Sequence, residues 1–341
     1  MKRIFAALLA CGLLSAIASP ALITTALAQE QKSREDDARQ RALYSKIDAY
    51  VRCLNSVSER IYQSRERYFS WAARSGPTGK ESNIYGLYTF NNPSGCRESV
   101  EIANEVAPHL PELEAAAHAY VTAVTKLFPI VKEANGYYEN DNYKDDHMAR
   151  GRAMHPLLLA AFDEFFAADQ QLRSVIDPVS DGRARQELAE IENKSGRKLD
   201  FELAALLLDA KALVNAIRAV PDTARITAAL SQYETSLATV TTLDEAARNG
   251  GGKGVNWTVL QDGRNFLASA KLFLRRLRDR VPYRDTEEAS LRHGFYLSGW
   301  MVKGSPADLA RSYNSMIDAA NRDAVSPAPK WIPVAPADAR R

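Results

Sequence analysis

Several signals are missing from this sequence, and each absence excludes something. No stretch alternates polar and apolar residues with a sustained period of two, so half-buried β-strands have no signal. No repeat of fixed period is present, which argues against a solenoid. His-Glu-x-x-His, Glu-x-x-His and Gly-x-Ser-x-Gly are all absent, so zinc-protease, di-iron-bundle and serine-hydrolase signatures are not available. Cysteine is scarce, with three among 341 residues.

The first 28 residues account for one of those cysteines and for the apparent excess of positive charge. Lys2 and Arg3 precede an apolar stretch from Ile4 to Leu27, which ends in Ala26-Leu27-Ala28 before the polar Gln29-Glu30. This is the pattern of a secretory signal peptide with small residues at the cleavage site, and it predicts cleavage after Ala28. The stretch approaches the roughly 20 residues of a membrane span, but Pro20 and the Ala-Leu-Ala ending argue for removal. Leu8-Leu9-Ala10-Cys11 resembles a lipobox; the apolar run before Cys11 is short and the residues after it are apolar, so membrane attachment is expected only if Cys11 is lipidated.

Removing residues 1–28 takes away two cations and no acid, leaving 42 Lys plus Arg against 42 Asp plus Glu. A chain without net charge has no global field for nucleic acid, so nucleic-acid binding is not expected. Export also sets the redox compartment. Cys53 and Cys96 remain after processing, and in an oxidising space such a pair is expected to form a disulfide. Closing that loop of about 44 residues contributes about 4 kcal/mol on the chain-entropy account.

What is present is helical periodicity. Leu43, Ile47, Tyr50, Val51, Leu54, Val57, Ile61 and Tyr68 recur at threes and fours, predicting one long amphipathic helix over 36–73. A Gly- and Pro-rich segment follows, and Cys96 then ties the start of the next helix to the middle of the first. A second helical region runs over 97–135, interrupted near Pro108 and Pro111 and kinked at Pro129. The turn Gly136 to Tyr143 leads into a third helix, 144–176, which Asp177-Pro178 is expected to close. Further helices are predicted over 183–219, 222–248, 256–281 and 306–324, with Ser305 and Asp308 placed to start the last. Pro327, Pro329, Pro333 and Pro336 predict an extended tail over 326–341. The fold class is therefore all-α: an antiparallel bundle of long helices over 29–325 with a proline-rich C-terminal tail.

Candidate chemistry concentrates in one place. Asp145, Asp146 and His147, with His155 beyond, offer carboxylate and imidazole groups of the kind that bind zinc or iron. The spacing is poor, since His147 and His155 lie about 12 Å apart along a helix. Asp145 and Asp146 also suit the positive end of a helix dipole, and the acidic turn lacks the glycine and spacing of a calcium loop. Ser195-Gly196-Arg197-Lys198 has the Ser-x-x-Lys pattern, but Gly196 breaks the helix that the chemistry needs. The lysine-containing glycine run 250–254 follows a helix and lacks phosphate-loop spacing. Lys271, Arg275, Arg276, Arg278, Arg280 and Arg284 form a basic cluster best read as a solvated face, with anionic lipid or another envelope polymer as the alternative. Tyr137, Tyr138 and Tyr143 gather beside the acidic turn, as tyrosines do when they line a groove or pack a loop.

The stretch Gly136-Tyr137-Tyr138 through Tyr143-Lys144-Asp145-Asp146, then Gly151 and His155, together with Ser312-Tyr313-Asn314 and Asn321, resembles the YiiG-like family of exported bacterial proteins. The resemblance spans about residues 40–325 and implies a single helical domain in the cell envelope. Members of that family are helical, often lipoproteins and of uncharacterised function, so it carries over no catalytic residue. The poor lipobox around Cys11 departs from the lipoprotein members. The sequence thus leads to a periplasmic, non-enzymatic helical protein that binds an envelope ligand or protein partner. No catalytic residue, metal or cofactor is expected, and Tyr137, Tyr138, Tyr143, Asp145, Asp146 and His155 are the candidate binding residues. The alternative is a metal-binding protein or metal-dependent enzyme using Asp145, Asp146 and His147.

Overall fold

The structure, a computed structural model, describes residues 20–218, 222–292, 294 and 298–322, with only the backbone described over 20–28. The proline-rich tail and most of the predicted export signal, Cys11 included, lie outside the described residues. Among the described residues there are nine α-helices and no strand. They are α1 (Pro20–Phe69), α2 (Ser94–Glu105), α3 (Pro111–Glu139), α4 (Ala149–Ser195), α5 (Leu199–Arg218), α6 (Thr223–Asn249), α7 (Trp257–Asp279), α8 (Asp285–Arg292) and α9 (Pro306–Arg322). Two short 3-10 turns, Asn142–Lys144 and Gly299–Met301, complete the described elements.

The apolar stripe of α1 is buried as its spacing demands: Ile47, Tyr50, Val51, Leu54, Val57, Ile61 and Tyr68 are all below 3 % exposed. They pack with α2, α3 and the first part of α4 into one hydrophobic core that reaches Ile176. A second core begins at Ala184 and gathers α5, α6, α7 and α9. Short connections make consecutive helices such as α3 and α4, or α5 and α6, antiparallel neighbours. Cys53 and Cys96 form a disulfide, with Cα atoms 5.1 Å apart, which pins α2 to the middle of α1.

Pro178 does not end a helix. α4 starts at Ala149 and runs 47 residues through Pro156 and Pro178 to Ser195, so a predicted break is absent and the helix joins the two cores. A mid-helix proline removes one hydrogen bond, here to the carbonyl of Ser174. Ser174 and Pro178 are both exposed, so water can satisfy that carbonyl while Ile176 and Ala184 hold the helix on either side. Gly196, at φ +73°, is where α4 stops, because glycine adopts that conformation without strain. Likewise α3 continues through Pro129 to Glu139, so Gly136–Glu139 is its last turn and the loop begins only at Asn140. An additional helix, α8, lies between the helices predicted over 256–281 and 306–324.

Where the local chemistry is unambiguous, the helix starts agree with it. Asp222 accepts from the backbone N–H groups of Ala224 and Arg225 at the start of α6. At α9, the Asp308 N–H donates to Ser305 Oγ at 3.1 Å and the Asp308 carboxylate accepts from Gly304 N–H at 2.9 Å.

Candidate functional site

The tyrosine-rich end of the first core is closed. The loop after α1 folds over the ends of α3 and α4, and Arg67 anchors it by donating to the Gly86 carbonyl at 2.7 Å while lying over Tyr85 and Tyr88. Beneath it Tyr138 and Tyr137 are 1 % and 4 % exposed. Tyr138 meets Trp71 edge-on, with ring centroids 4.9 Å apart. Gly151 allows this approach: a Cβ there would stand 2.9 Å from the Tyr138 hydroxyl and 2.5 Å from Met148 Sδ. His155 is buried, with Tyr68 Oη 2.8 Å from Nδ1 and the Arg74 carbonyl 3.0 Å from Nε2. Burial pushes the Tyr68 phenol up to about 12.

Asp146 closes the start of α4. It accepts from Tyr137 Oη at 2.7 Å and from the Arg150 N–H at 2.9 Å, and these bonds hold its pKa below the ordinary carboxylate value. Burial, then the same Asp146 bond, pushes the Tyr137 phenol up to about 12. Asp145 and His147 are exposed and Tyr143 is half-buried on the outside of the turn. Of the sequence-derived set, the structure therefore brings Tyr137, Tyr138, Asp146 and His155 together in one packed end. Tyr143 packs half-buried against the edge of the first core, and Asp145 faces out. The donors invoked for a metal do not converge: His155 spends both nitrogens on Tyr68 and Arg74, while His147 points to solvent. Among the described residues no three His, Cys, Asp or Glu side chains are grouped so as to hold a metal ion.

The basic cluster on α7 is largely neutralised. Arg276 and Arg284 share Glu287, Lys271 pairs with Glu234, and Arg278 pairs with Asp279. Arg275, Arg278, Arg280 and Arg284 are exposed, whereas the Arg276 side chain is mostly buried against Glu287.

A different polar assembly begins inside the first core and continues toward the second. Asp169, fully buried on α4, accepts from Ser58 Oγ at 2.7 Å, Tyr62 Oη at 2.9 Å and Arg173 Nε at 2.8 Å, and Tyr120 Oη joins through Ser58 at 2.7 Å. Farther along α4, Lys211 of α5 lies 3.2 Å from Asp177 and 2.5 Å from Asp181. Arg218, the last residue of α5, is solvent-accessible yet crowded by protein. Loss of hydration first, and the like charge of Arg173 second, lower its pKa. No hydrogen bond or ion pair engages Arg218 among the described residues. Within its electrostatic reach are Asp177, Tyr62 and Tyr313, and the Tyr313 hydroxyl is fully buried without a hydrogen-bond partner among the described residues.

Charged groups of α1 and α9 also come within electrostatic reach of one another. Glu59 of α1 is accessible, and burial followed by the charge of Asp318 on α9 raises its pKa; burial also raises Asp318 itself. Arg311 of α9 also acts on Glu59 and lies over the Trp300 ring at 4.0 Å. About two turns along α1 from Glu59, Gly294 stands so close to Glu66 that a Cβ would approach its carboxyl carbon to 2.7 Å. Sequence reasoning missed this assembly. Its members are spread from position 58 to position 318, and each alone reads as an ordinary surface group or core residue.

These features define an all-α protein with two hydrophobic cores on one shared helix. The chain belongs to the DUF3829 family, described as proteins of unknown function, whose model matches residues 41–322. It is similar to the "Uncharacterized protein YiiG" of Escherichia coli (strain K12), 30 % identical over 278 residues, which cover 80 % of this chain and 77 % of that one. No solved structure matches.

Proposed function

We propose that the protein is an exported, non-enzymatic binding protein of the bacterial periplasm, holding its ligand beside Arg218 where the two cores adjoin. The supporting observation is the pair of orphaned groups there: an accessible Arg218 with no partner and a buried Tyr313 hydroxyl with none, among the described residues. A buried donor without a partner costs about 1–3 kcal/mol, which a ligand acceptor would recover. The export half of the reading rests on Lys2-Arg3, the apolar run and Ala26-Leu27-Ala28. No helix among the described residues is long and apolar enough to cross a membrane.

The test is a thermal-shift screen of the chain beginning at Gln29 against small polar metabolites, run beside a panel of hydrolase substrates. A saturating ligand at about 100 times its Kd adds about 2.7 kcal/mol to stability. A ligand whose stabilisation disappears in Arg218→Gln supports the reading. Robust hydrolase turnover, lost on changing Asp145 or Asp146, overturns it. Fractionation checks the location: a periplasmic chain beginning at Gln29 is expected, and a full-length cytoplasmic chain would refute it.

A further inference from the structure

We infer that the end of the molecule where α7, α8 and the Gly299–Met301 turn meet rests on an anionic phospholipid surface, with a headgroup phosphate in the cavity lined by Arg284 and Lys303. This face shares no residue with the surroundings of Arg218, so the two readings stand or fall separately.

A cavity of about 250 Å³ lies there, lined from two segments: Arg284, Glu287 and Ser290 in and just before α8, and Met301, Val302 and Lys303 from the end of the 3-10 turn onward. The acid in this lining is already engaged. Glu287 accepts from Arg276 Nη2 at 3.0 Å, from the Arg284 N–H at 2.9 Å and from Arg284 Nη2 at 3.2 Å, so two guanidinium groups share one carboxylate. Lys303 reaches Asp308 at 2.9 Å, but Asp308 is 1 % exposed and also accepts from the Gly304 N–H. The Arg284 and Lys303 side chains are themselves 80 % and 69 % exposed. Both are therefore free to meet an anion arriving from solvent. Helix dipoles account for Arg276 and Arg278 in the last turn of α7, but not for these two cations, which precede α8 and α9 at their positive ends.

Charge and apolar exposure around the cavity select a membrane over a free anion. The chain from Gln29 has no net charge, yet residues 275–308 hold seven Lys plus Arg against five Asp plus Glu. Burial widens that difference: six of the seven cations are exposed, while Glu287 and Asp308 are not, which leaves three exposed acids and a surface excess of six minus three, or +3. Apolar side chains stand among these cations. Val281, directly after Arg280, is 50 % exposed, and Met301, at the cavity, is 55 % exposed. The two segments are tied together by Arg276, which donates to the Pro282 carbonyl at 3.3 Å and to Glu287. Arg280 itself ends α7 at φ +51°, a conformation that glycine adopts at lower cost, so a cation occupies a position where chain reversal alone favours glycine. Protruding apolar groups ringed by cations suit the headgroup layer of an anionic bilayer, where both kinds of group gain. A soluble polyanion would use the cations and leave Val281 and Met301 in water.

Co-sedimentation of the chain beginning at Gln29 with two kinds of vesicle tests this: phosphatidylcholine alone, and phosphatidylcholine mixed with phosphatidylglycerol. Binding is expected to the mixed vesicles only, weakening as salt is raised. Arg284→Gln combined with Lys303→Gln should lower the partition coefficient about thirtyfold, the weight of two cations at an anionic surface. Val281→Ser combined with Met301→Ser should lower it as well, without a change of charge. Both of those positions are exposed, so this second variant keeps the test decisive if loss of the Lys303–Asp308 contact disturbs folding, which circular dichroism reports. Lys253→Glu changes the net charge by as much as the first variant, but beyond the other end of α7, a helix about 34 Å long, and should leave binding nearly unchanged. No binding to the mixed vesicles, equal binding to both kinds, or an equal loss in Lys253→Glu overturns the inference. Heat on titrating inorganic phosphate, abolished in the Arg284→Gln and Lys303→Gln variant and unaccompanied by vesicle binding, would assign the cavity to a free anion and overturn the lipid.

Discussion

Tyr68 donates its hydroxyl hydrogen to Nδ1 of His155 across 2.8 Å, and that assignment is forced by the other side of the ring. The Arg74 carbonyl, 3.0 Å from Nε2, can only accept, so Nε2 carries the hydrogen and Nδ1 is the acceptor. His155 is thus a strut joining the α1–α2 loop to α4. Tyr68→Phe leaves a buried acceptor unpaired and should cost about 1–3 kcal/mol in chemical denaturation. His155→Ala, which also opens a cavity, should cost more. Equal stability of wild type and Tyr68→Phe would show that the bond is not formed in solution.

The disulfide and the export signal can be read in one mass spectrum. If the chain is exported as proposed, the mature protein should begin at Gln29, lack two hydrogens, and accept two alkyl groups only after reduction. Changing both Cys53 and Cys96 to Ala should lower stability by about 4 kcal/mol, because the unfolded chain regains the freedom of the closed loop. A lipidated Cys11 or two thiols alkylated without reduction would contradict this.

Acid titration should reveal opposite signs at two sites. Asp146 has a lowered pKa, so its contribution is present above the unfolded carboxylate value and is lost as pH falls through the folded one. Asp146→Asn should flatten the acid limb of a plot of denaturation midpoint against pH. Glu59 and Asp318 have raised pKa values: below the unfolded value, about 4, both states are protonated. As pH rises above it the unfolded chain ionises first and stability falls, until pH passes the folded values. Glu59→Gln should therefore raise stability near neutral pH relative to wild type, and an unchanged or lower midpoint there would refute the crowding of this pair.

Pro178 sits exposed in the interior of a continuous helix. Pro178→Ala should restore a backbone hydrogen bond to the Ser174 carbonyl and stabilise the protein by about 1–3 kcal/mol. A loss of stability on substitution would mean that the proline shapes a bend on which the packing of both cores depends.

The local features were legible in the sequence and the setting of Arg218 was not, for a physical reason. The stripe from Leu43 to Tyr68, the Cys53–Cys96 pair and the Ser305–Asp308 cap are set by neighbours a few residues away or by a single covalent bond. Pro178 misled because a local penalty of a few kcal/mol yields to packing on both sides of it. Gly136-Tyr137-Tyr138 looked like a loop, yet burial of both rings keeps it helical. Arg218 alone is a cation at a helix end, a placement the dipole explains. Only the tertiary fold sets it beside Arg173 and Tyr313 and shows it to be without a partner among the described residues.

The continuity of α4 also constrains how this gene can be divided. The helix is about 70 Å long and enters one core at Met154 and the other at Ala184, with no loop between them. A cut between the cores severs a helix, and a cut at the first natural break, Gly196, strips the second core of Ala184. Neither half is a portable module that recombination could graft elsewhere. The pair would have to be inherited, expressed and degraded as one unit.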